Sequence, residues 1–170
     1  MRSLLLYSTL TGNTEKVAKA VYETMPQGTE LKKASNSEEP SDYDVIVIGF
    51  WVDRGTADEK ILKFVEKTRG KKVAFFFTLG AYPDSPHAVK TAKDFEELLK
   101  KNDNEVLGYF MCQGRIDPKL TEKFKDLPKD HPHAMTEERR KRHEEASKHP
   151  DENDLTAAKK VFSDIFSKLR

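Results

Sequence analysis

Cysteine occurs once in the 170 residues, at Cys112. A lone thiol excludes an internal disulfide and any zinc or iron–sulfur site built from several cysteines of one chain. Redox chemistry, where it exists, must therefore come from a bound cofactor. Long apolar runs are missing as well, and none approaches the length needed to span a bilayer. The opening Met1-Arg2-Ser3 before Leu4-Leu5-Leu6 lacks the core and cleavage site of a signal peptide, so the expected location is the cytoplasm and no membrane partner is expected. Nor is there an excess of one charge. Thirty basic against 29 acidic residues give +1, which removes a strong electrostatic drive toward nucleic acid. His131, His133, His143 and His149 cluster in one region, but without a cysteine cluster or ordered acidic spacing they predict no metal site.

What is present is a soluble composition, 36% hydrophobic and 35% charged, in a length that suits one domain over residues 1–170. Strand, helix and turn signals alternate through the first 111 residues, which favours α/β architecture with a parallel sheet and helices on both faces. Strands are predicted near 3–7, 29–33, 44–50, 72–78 and 105–111, with helices over 14–25, 57–68 and 87–101. Asp44-Val45-Ile46-Val47-Ile48-Gly49-Phe50 and Lys72-Val73-Ala74-Phe75-Phe76-Phe77-Thr78 are nearly continuous apolar runs, the pattern of central strands buried on both faces. Beyond the fifth strand the alternation stops. Residues 112–153 form a charged, proline-containing insertion too long for a simple turn, which predicts a helix of its own or a function; 134–148 reads as an exposed helix. Apolar residues at Leu155, Ala158, Phe162, Ile165, Phe166 and Leu169 then predict a sheet-docking helix over 154–169, capped by Asp154 or Asn153.

The first turn carries the chemistry. After Leu4-Leu5-Leu6-Tyr7 come Ser8-Thr9-Leu10-Thr11-Gly12-Asn13-Thr14, and then Val17, Ala18 and Val21 at helical spacing. A hydroxyl-rich turn between a strand's carboxyl end and a helix's amino end suits a dianionic phosphate, because free backbone N–H groups and the helix dipole converge there. Ser8, Thr9, Thr11 and Thr14 can add hydroxyl donors. The turn holds no lysine or arginine. It also lacks the second glycine and Lys-Ser/Thr of a P-loop and the three spaced glycines of the dinucleotide fingerprint. An ordinary capped helix, with Thr11 or Asn13 as N-cap, is the competing reading.

Leu5-Leu6-Tyr7, Thr9, Gly12, Thr14, Ala18 and Val21 match the flavodoxin signature position by position, and the chain resembles that family. The resemblance implies a doubly wound five-stranded parallel sheet of order 2-1-3-4-5 and FMN as cofactor. Thr9, Leu10, Thr11, Gly12, Asn13 and Thr14 would hold its 5′-phosphate without basic side chains. In such a sheet the ligand lies beyond the strand carboxyl ends, at the switch between strands 1 and 3. The loops there contain Trp51, Val52, Asp53, Gly55 and Thr56, and Thr78, Leu79, Gly80, Ala81 and Tyr82. Flavodoxins stack the flavin between side chains from these loops, which nominates Trp51 and Tyr82; anchoring a helix, or simple loop placement, are their alternatives. Gly55 and Gly80 are positions for positive φ or close backbone approach, where a carbonyl facing flavin N5 would favour the one-electron-reduced state. Gln113 could bond the flavin rim, whereas Cys112 at a strand end reads as an inert small hydrophobe. The near-neutral charge departs from the acidity usual for the family, and Gly80-Ala81-Tyr82-Pro83-Asp84 departs from its Gly-Asp pattern, with Ala81 where the acidic contact to N3 would stand.

Two later stretches, Cys112-Gln-Gly114-Arg-Ile116 and Met135 to Glu152, resemble a subgroup of small flavodoxin-like proteins of anaerobic bacteria, some associated with bile-pigment reductases. The expected function is electron transfer between a reductase and a partner enzyme. An NAD(P)H-dependent flavin or quinone oxidoreductase, with 112–153 forming a substrate wall, is the alternative; an FMN-free interaction module is a further one. A phosphoacceptor domain of the same topology would need an acidic pair where Ser8-Thr9 stand and an aspartate at Phe50. Arg139-Arg140-Lys141-Arg142, flanked by glutamates, reads as an exposed helix laced by i,i+4 pairs, with docking of an acidic partner or of a second nucleotide's phosphate as the alternative.

Overall fold

The computed structural model describes residues 1–169. Its elements run β1 (Ser3–Tyr7), α1 (Asn13–Tyr22), β2 (Glu30–Lys33), β3 (Val45–Asp53), β4 (Thr56–Ala57), α2 (Glu59–Lys67), β5 (Lys72–Leu79), α3 (Pro86–Lys101), β6 (Glu105–Gln113), α4 (Pro118–Lys125), α5 (Glu137–Ala146) and α6 (Glu152–Ser167). The long strands are parallel in the order β2-β1-β3-β5-β6. Counting only those five strands, this is the expected 2-1-3-4-5 arrangement. The short β4 pairs antiparallel with the end of β3.

Alternation of side chains across the sheet divides the core in two. Leu4, Leu6, Ile46, Ile48, Phe50, Phe75 and Phe77 point to one face, where they pack with Ile61 of α2 and Phe95 and Leu99 of α3. Leu5, Tyr7, Val45, Val47, Ala74 and Phe76 point to the other and meet Val17 and Val21 of α1 and Phe162 and Phe166 of α6. Phe50 anchors the first face, its ring 4.4 Å from Phe95 and 5.1 Å from Phe77.

Several boundaries differ from the sequence expectation for identifiable reasons. α1 stops at Tyr22 rather than residue 25 because Pro26 disfavours helical backbone at Met25, and the end tightens into turns from Thr24 N–H to Val21 and from Met25 N–H to Tyr22. The third strand continues through Trp51 to Asp53, since Arg54 (φ 52°) and Gly55 (φ 82°) turn it back into β4. Two successive left-handed residues make the hairpin turn that matches strand twist. Thr56–Ala57 are thus strand, and α2 begins only after Asp58. The insertion holds α4 in addition to α5. Neither Asn153 nor Asp154 caps α6: Asp151 does, accepting from the Asp154 amide at 2.9 Å while Asp154 accepts from the Asp151 amide at 2.8 Å.

Candidate functional site

The carboxyl ends of β1, β3 and β5 and the start of α1 enclose a cleft of about 400 Å³ that α4 and α5 close on one side. Its floor is the turn after β1. Gly12, not Thr11 or Asn13, is the residue before α1, with φ 96° and no side-chain cap. That backbone suits glycine. Without a cap, the first-turn N–H groups have no intrahelical acceptor and are free for a ligand.

Hydrogen-bond accounting shows which hydroxyls remain available. Thr9 Oγ1 accepts from the Gly12 amide at 3.0 Å, so its own O–H can be given away. Thr11 Oγ1 accepts from Asn13 Nδ2 at 3.1 Å and keeps its proton too. Asn13 Nδ2 also donates to the Arg115 carbonyl at 2.9 Å, which spends both amide hydrogens on tying the turn to the chain leaving β6. Thr14 and Thr78 are buried, their hydroxyl oxygens 2.9 Å apart. One donates to the other, leaving one O–H of the pair for a ligand.

Trp51 pairs in register with Thr78 at the end of β3. It lies one residue beyond the core side chain Phe50, hence on the opposite sheet face, where it is half-buried and lines the cleft beside Val52. Leu10, Thr78, Leu79, Gly80 and Ala81 line it as well. Gly80 has no positive φ; a Cβ there would fall 2.6 Å from Ile116 Cγ1, so glycine serves close approach. Asp53, Gly55 and Thr56 belong to the hairpin and are not on the cleft wall. Tyr82 is exposed and borders a more polar groove of about 630 Å³ shared with Gln113, Lys141 and His149. Gln113 is buried and donates Nε2 to the Gly80 carbonyl at 3.0 Å. The structure thus gathers the turn, Trp51, Val52 and the β5 end at one cleft, and it sets Tyr82 and Gln113 on another surface.

The sequence offers 112–153 as a wall only in the alternative oxidoreductase reading and assigns none of the residues that form it to the cleft. Leu120 and Phe124 of α4 and Arg142 and His143 of α5 face the cleft. The two helices are joined there: His143 Nδ1 and Thr121 Oγ1 are 2.9 Å apart, and the Phe124 ring lies 5.8 Å from His133 and 6.3 Å from His143. Burial, then the neighbouring Arg142, Arg139 and Lys125, lowers the His143 pKa. The apolar Leu120 and Phe124 at i and i+4 were the available signal, masked by the charge around them. Cys112 is buried, and desolvation aided by Asp154 and Asp151 pushes its thiol pKa up. It is not a nucleophile. His149, Asp151 and Asp154 converge, but their atoms are engaged with one another in the α6 cap.

The chain matches a family model described as the flavodoxin domain over residues 4–163. It belongs to the flavodoxin-domain family. It is 34% identical over 163 residues, 93% of this chain and 92% of the relative, to the flavodoxin-like domain-containing protein BilS of Clostridioides difficile. That likeness falls in the subgroup the C-terminal segments resembled. Among solved structures, oxidised flavodoxin 1 of Bacillus cereus superposes with a TM-score of 0.66 at 16% identity, covering 100% of both chains. A flavoprotein of Lactobacillus acidophilus in complex with FMN gives a TM-score of 0.51 at 19% identity over 74% of this chain and 99% of that one. The cleft fits the cofactor of this family. It has the volume of a small-molecule site, an uncapped helix start with spare hydroxyls for a phosphate, and an aromatic wall for a ring.

Proposed function

We propose that this protein is an FMN-dependent electron carrier of the cytoplasm, taking electrons from a reductase and passing them to a partner enzyme. The observation that carries the reading is the turn Thr9–Thr14, in which a left-handed glycine leaves helix N–H groups uncapped while Thr9, Thr11 and the Thr14–Thr78 pair retain hydroxyl protons. FMN, when bound, supplies the redox chemistry. The chain's own residues bind and orient it: the turn takes the phosphate, and Trp51 lies against the ring. Leu10 and Leu120, 62% and 44% exposed at the rim, give an apolar border of the kind a docking protein covers. The subgroup resemblance of the Cys112–Ile116 and Met135–Glu152 stretches supports a partner that reduces bile pigments.

The second reading, a self-sufficient NAD(P)H-dependent flavin or quinone oxidoreductase, is favoured by one observation, the α4–α5 wall over the cleft. An absorbance spectrum of purified protein and titration of stripped protein with FMN and riboflavin test the cofactor, with preference for FMN expected. A colourless protein that ignores FMN refutes both readings. Rapid NAD(P)H oxidation by holoprotein alone favours the oxidoreductase; oxidation only when a flavodoxin reductase is added favours the carrier.

A further inference from the structure

The basic run of α5 divides on inspection. Arg140 is paired with Glu137 at 2.7 Å and Glu144 at 3.2 Å on the exposed face. Arg139 Nη1 donates to the Ala134 carbonyl at 2.7 Å. Arg142 alone lines the cleft. Its Nε is buried without a hydrogen-bond partner, and among the described residues no carboxylate pairs with it. A desolvated guanidinium N–H with no acceptor is costly, and such groups in folded proteins find partners. The cleft side chains also lean positive: Arg115 and Arg142 stand against Asp117, whose carboxylate is occupied capping α4 through the Lys119 amide at 3.0 Å.

The position of the insertion indicates which ligand group would meet that cation. The chain leaves β6 at Gly114–Arg115, where Asn13 of the turn bonds the Arg115 carbonyl and a Cβ on Gly114 would lie 2.8 Å from Asn13 Nδ2. The start of the insertion is therefore tied to the turn, which has no basic side chain of its own, and Arg142 lines the same cleft as Thr9, Thr11, Asn13 and Thr14.

We propose that Arg142, delivered by the α4–α5 insertion, is a binding residue for the 5′-phosphate of FMN, completing from across the cleft a cradle otherwise made of amides and hydroxyls. The assignment rests on the FMN reading above. Guanidinium Nε and Nη donors match phosphate oxygens in a planar fork, and the otherwise orphaned Nε acquires its acceptor on binding. The insertion then couples cofactor and lid, because the phosphate holds α5, and through the Thr121–His143 contact α4, against the cleft.

The test is titration of stripped wild-type protein and Arg142→Gln with FMN and riboflavin at low and high salt, with a thermal melt of each apoprotein. FMN affinity of the variant should fall by about 10- to 100-fold, the range for a charge-assisted bond, with riboflavin affinity unchanged. The salt dependence of FMN binding should flatten, and the variant apoprotein should melt no lower than wild type, since Arg142 Nε makes no hydrogen bond that the substitution would break. Unchanged FMN affinity overturns the assignment, as does an equal loss for both flavins or an apoprotein that melts much lower. Wild-type protein that binds neither flavin overturns the FMN reading and this assignment together, an outcome distinct from a normal wild type with an indifferent variant.

Discussion

The buried Thr14–Thr78 hydroxyl pair allows a double-mutant cycle that separates folding from cofactor binding. Thr14 is fully buried and Thr78 is 3% exposed, so neither hydroxyl can turn to bulk water when its partner is removed. Thr78→Val deletes the bond at 2.9 Å and orphans Thr14; Thr14→Val does the reverse. Each single change should cost the apoprotein about 1–3 kcal/mol, the desolvation cost of an unsatisfied polar group. The double variant replaces both partners with apolar groups of the same shape and should lie close to wild type, so the singles do not add, with a coupling energy of about 1 kcal/mol or more. FMN affinity should behave differently. The one spare O–H survives in either single variant but is absent from the double, which should bind FMN least well while folding best among the variants. Urea unfolding of apoproteins gives the first quantity and FMN titration the second. Additive single-variant costs would refute the pairing, and wild-type FMN affinity in the double variant would refute the role of the spare hydroxyl.

Other consequences of the geometry are as direct. Gly114→Ala places a Cβ 2.8 Å from Asn13 Nδ2 and 3.1 Å from Asn13 Cβ; FMN affinity should drop at least tenfold while far-ultraviolet circular dichroism stays native, and normal affinity would mean the Asn13 tie is dispensable. Trp51→Ala should weaken flavin binding about 10- to 100-fold, as loss of an aromatic stack does, and relieve quenching of flavin fluorescence; unchanged quenching would make Trp51 a packing residue. The His149 pKa is raised, first by its hydrogen bond with Asp154 at 2.6 Å. A raised folded-state pKa contributes stability that is full below the ordinary histidine range and is lost as pH rises through the folded value. Wild type should therefore lose stability relative to His149→Gln between about pH 6 and 8, and parallel melting curves across that window would refute the linkage.

Much of the fold was legible because its signals are local. The runs at Val45–Ile48 and Val73–Phe77 could bury only in a central parallel strand, and the threonine-rich turn sits between a strand and a helix by spacing alone. The hairpin after Trp51 was harder to read. Arg54 adopts φ 52° beside Gly55, and arginine gives no sequence warning of a left-handed residue, so the strand Thr56–Ala57 reads as loop and the start of a helix at 57. α4 was hidden for another reason: its eight residues carry too few apolar positions to show a period, and none of them is buried. Tyr82 illustrates the limit of carrying a family's loop positions onto a chain. Pro83 follows it and α3 begins at Pro86, holding the segment out beside Gln113 and Lys141 instead of over the cleft.

The division of labour within the site follows from these same constraints. The proposed phosphate cradle of amides and hydroxyls lies in six consecutive residues that carry no charged side chain, whereas the charged side chains of the cleft come about a hundred residues later. Asp58, buried at the start of α2 with Oδ2 unpartnered, has its pKa raised by desolvation, which the Ser8 hydroxyl and the Ile61 and Lys60 amides offset only in part. Asp117, the carboxylate on the cleft wall, is held by its cap. With Arg142 and Arg115 on the opposite wall, a ligand in the cleft meets hydrogen-bond donors below it and positive charge above it. Such a cleft favours anions whatever the near-zero charge of the whole chain, because a site's local field depends on the few groups desolvated around it and not on the screened charges at the surface.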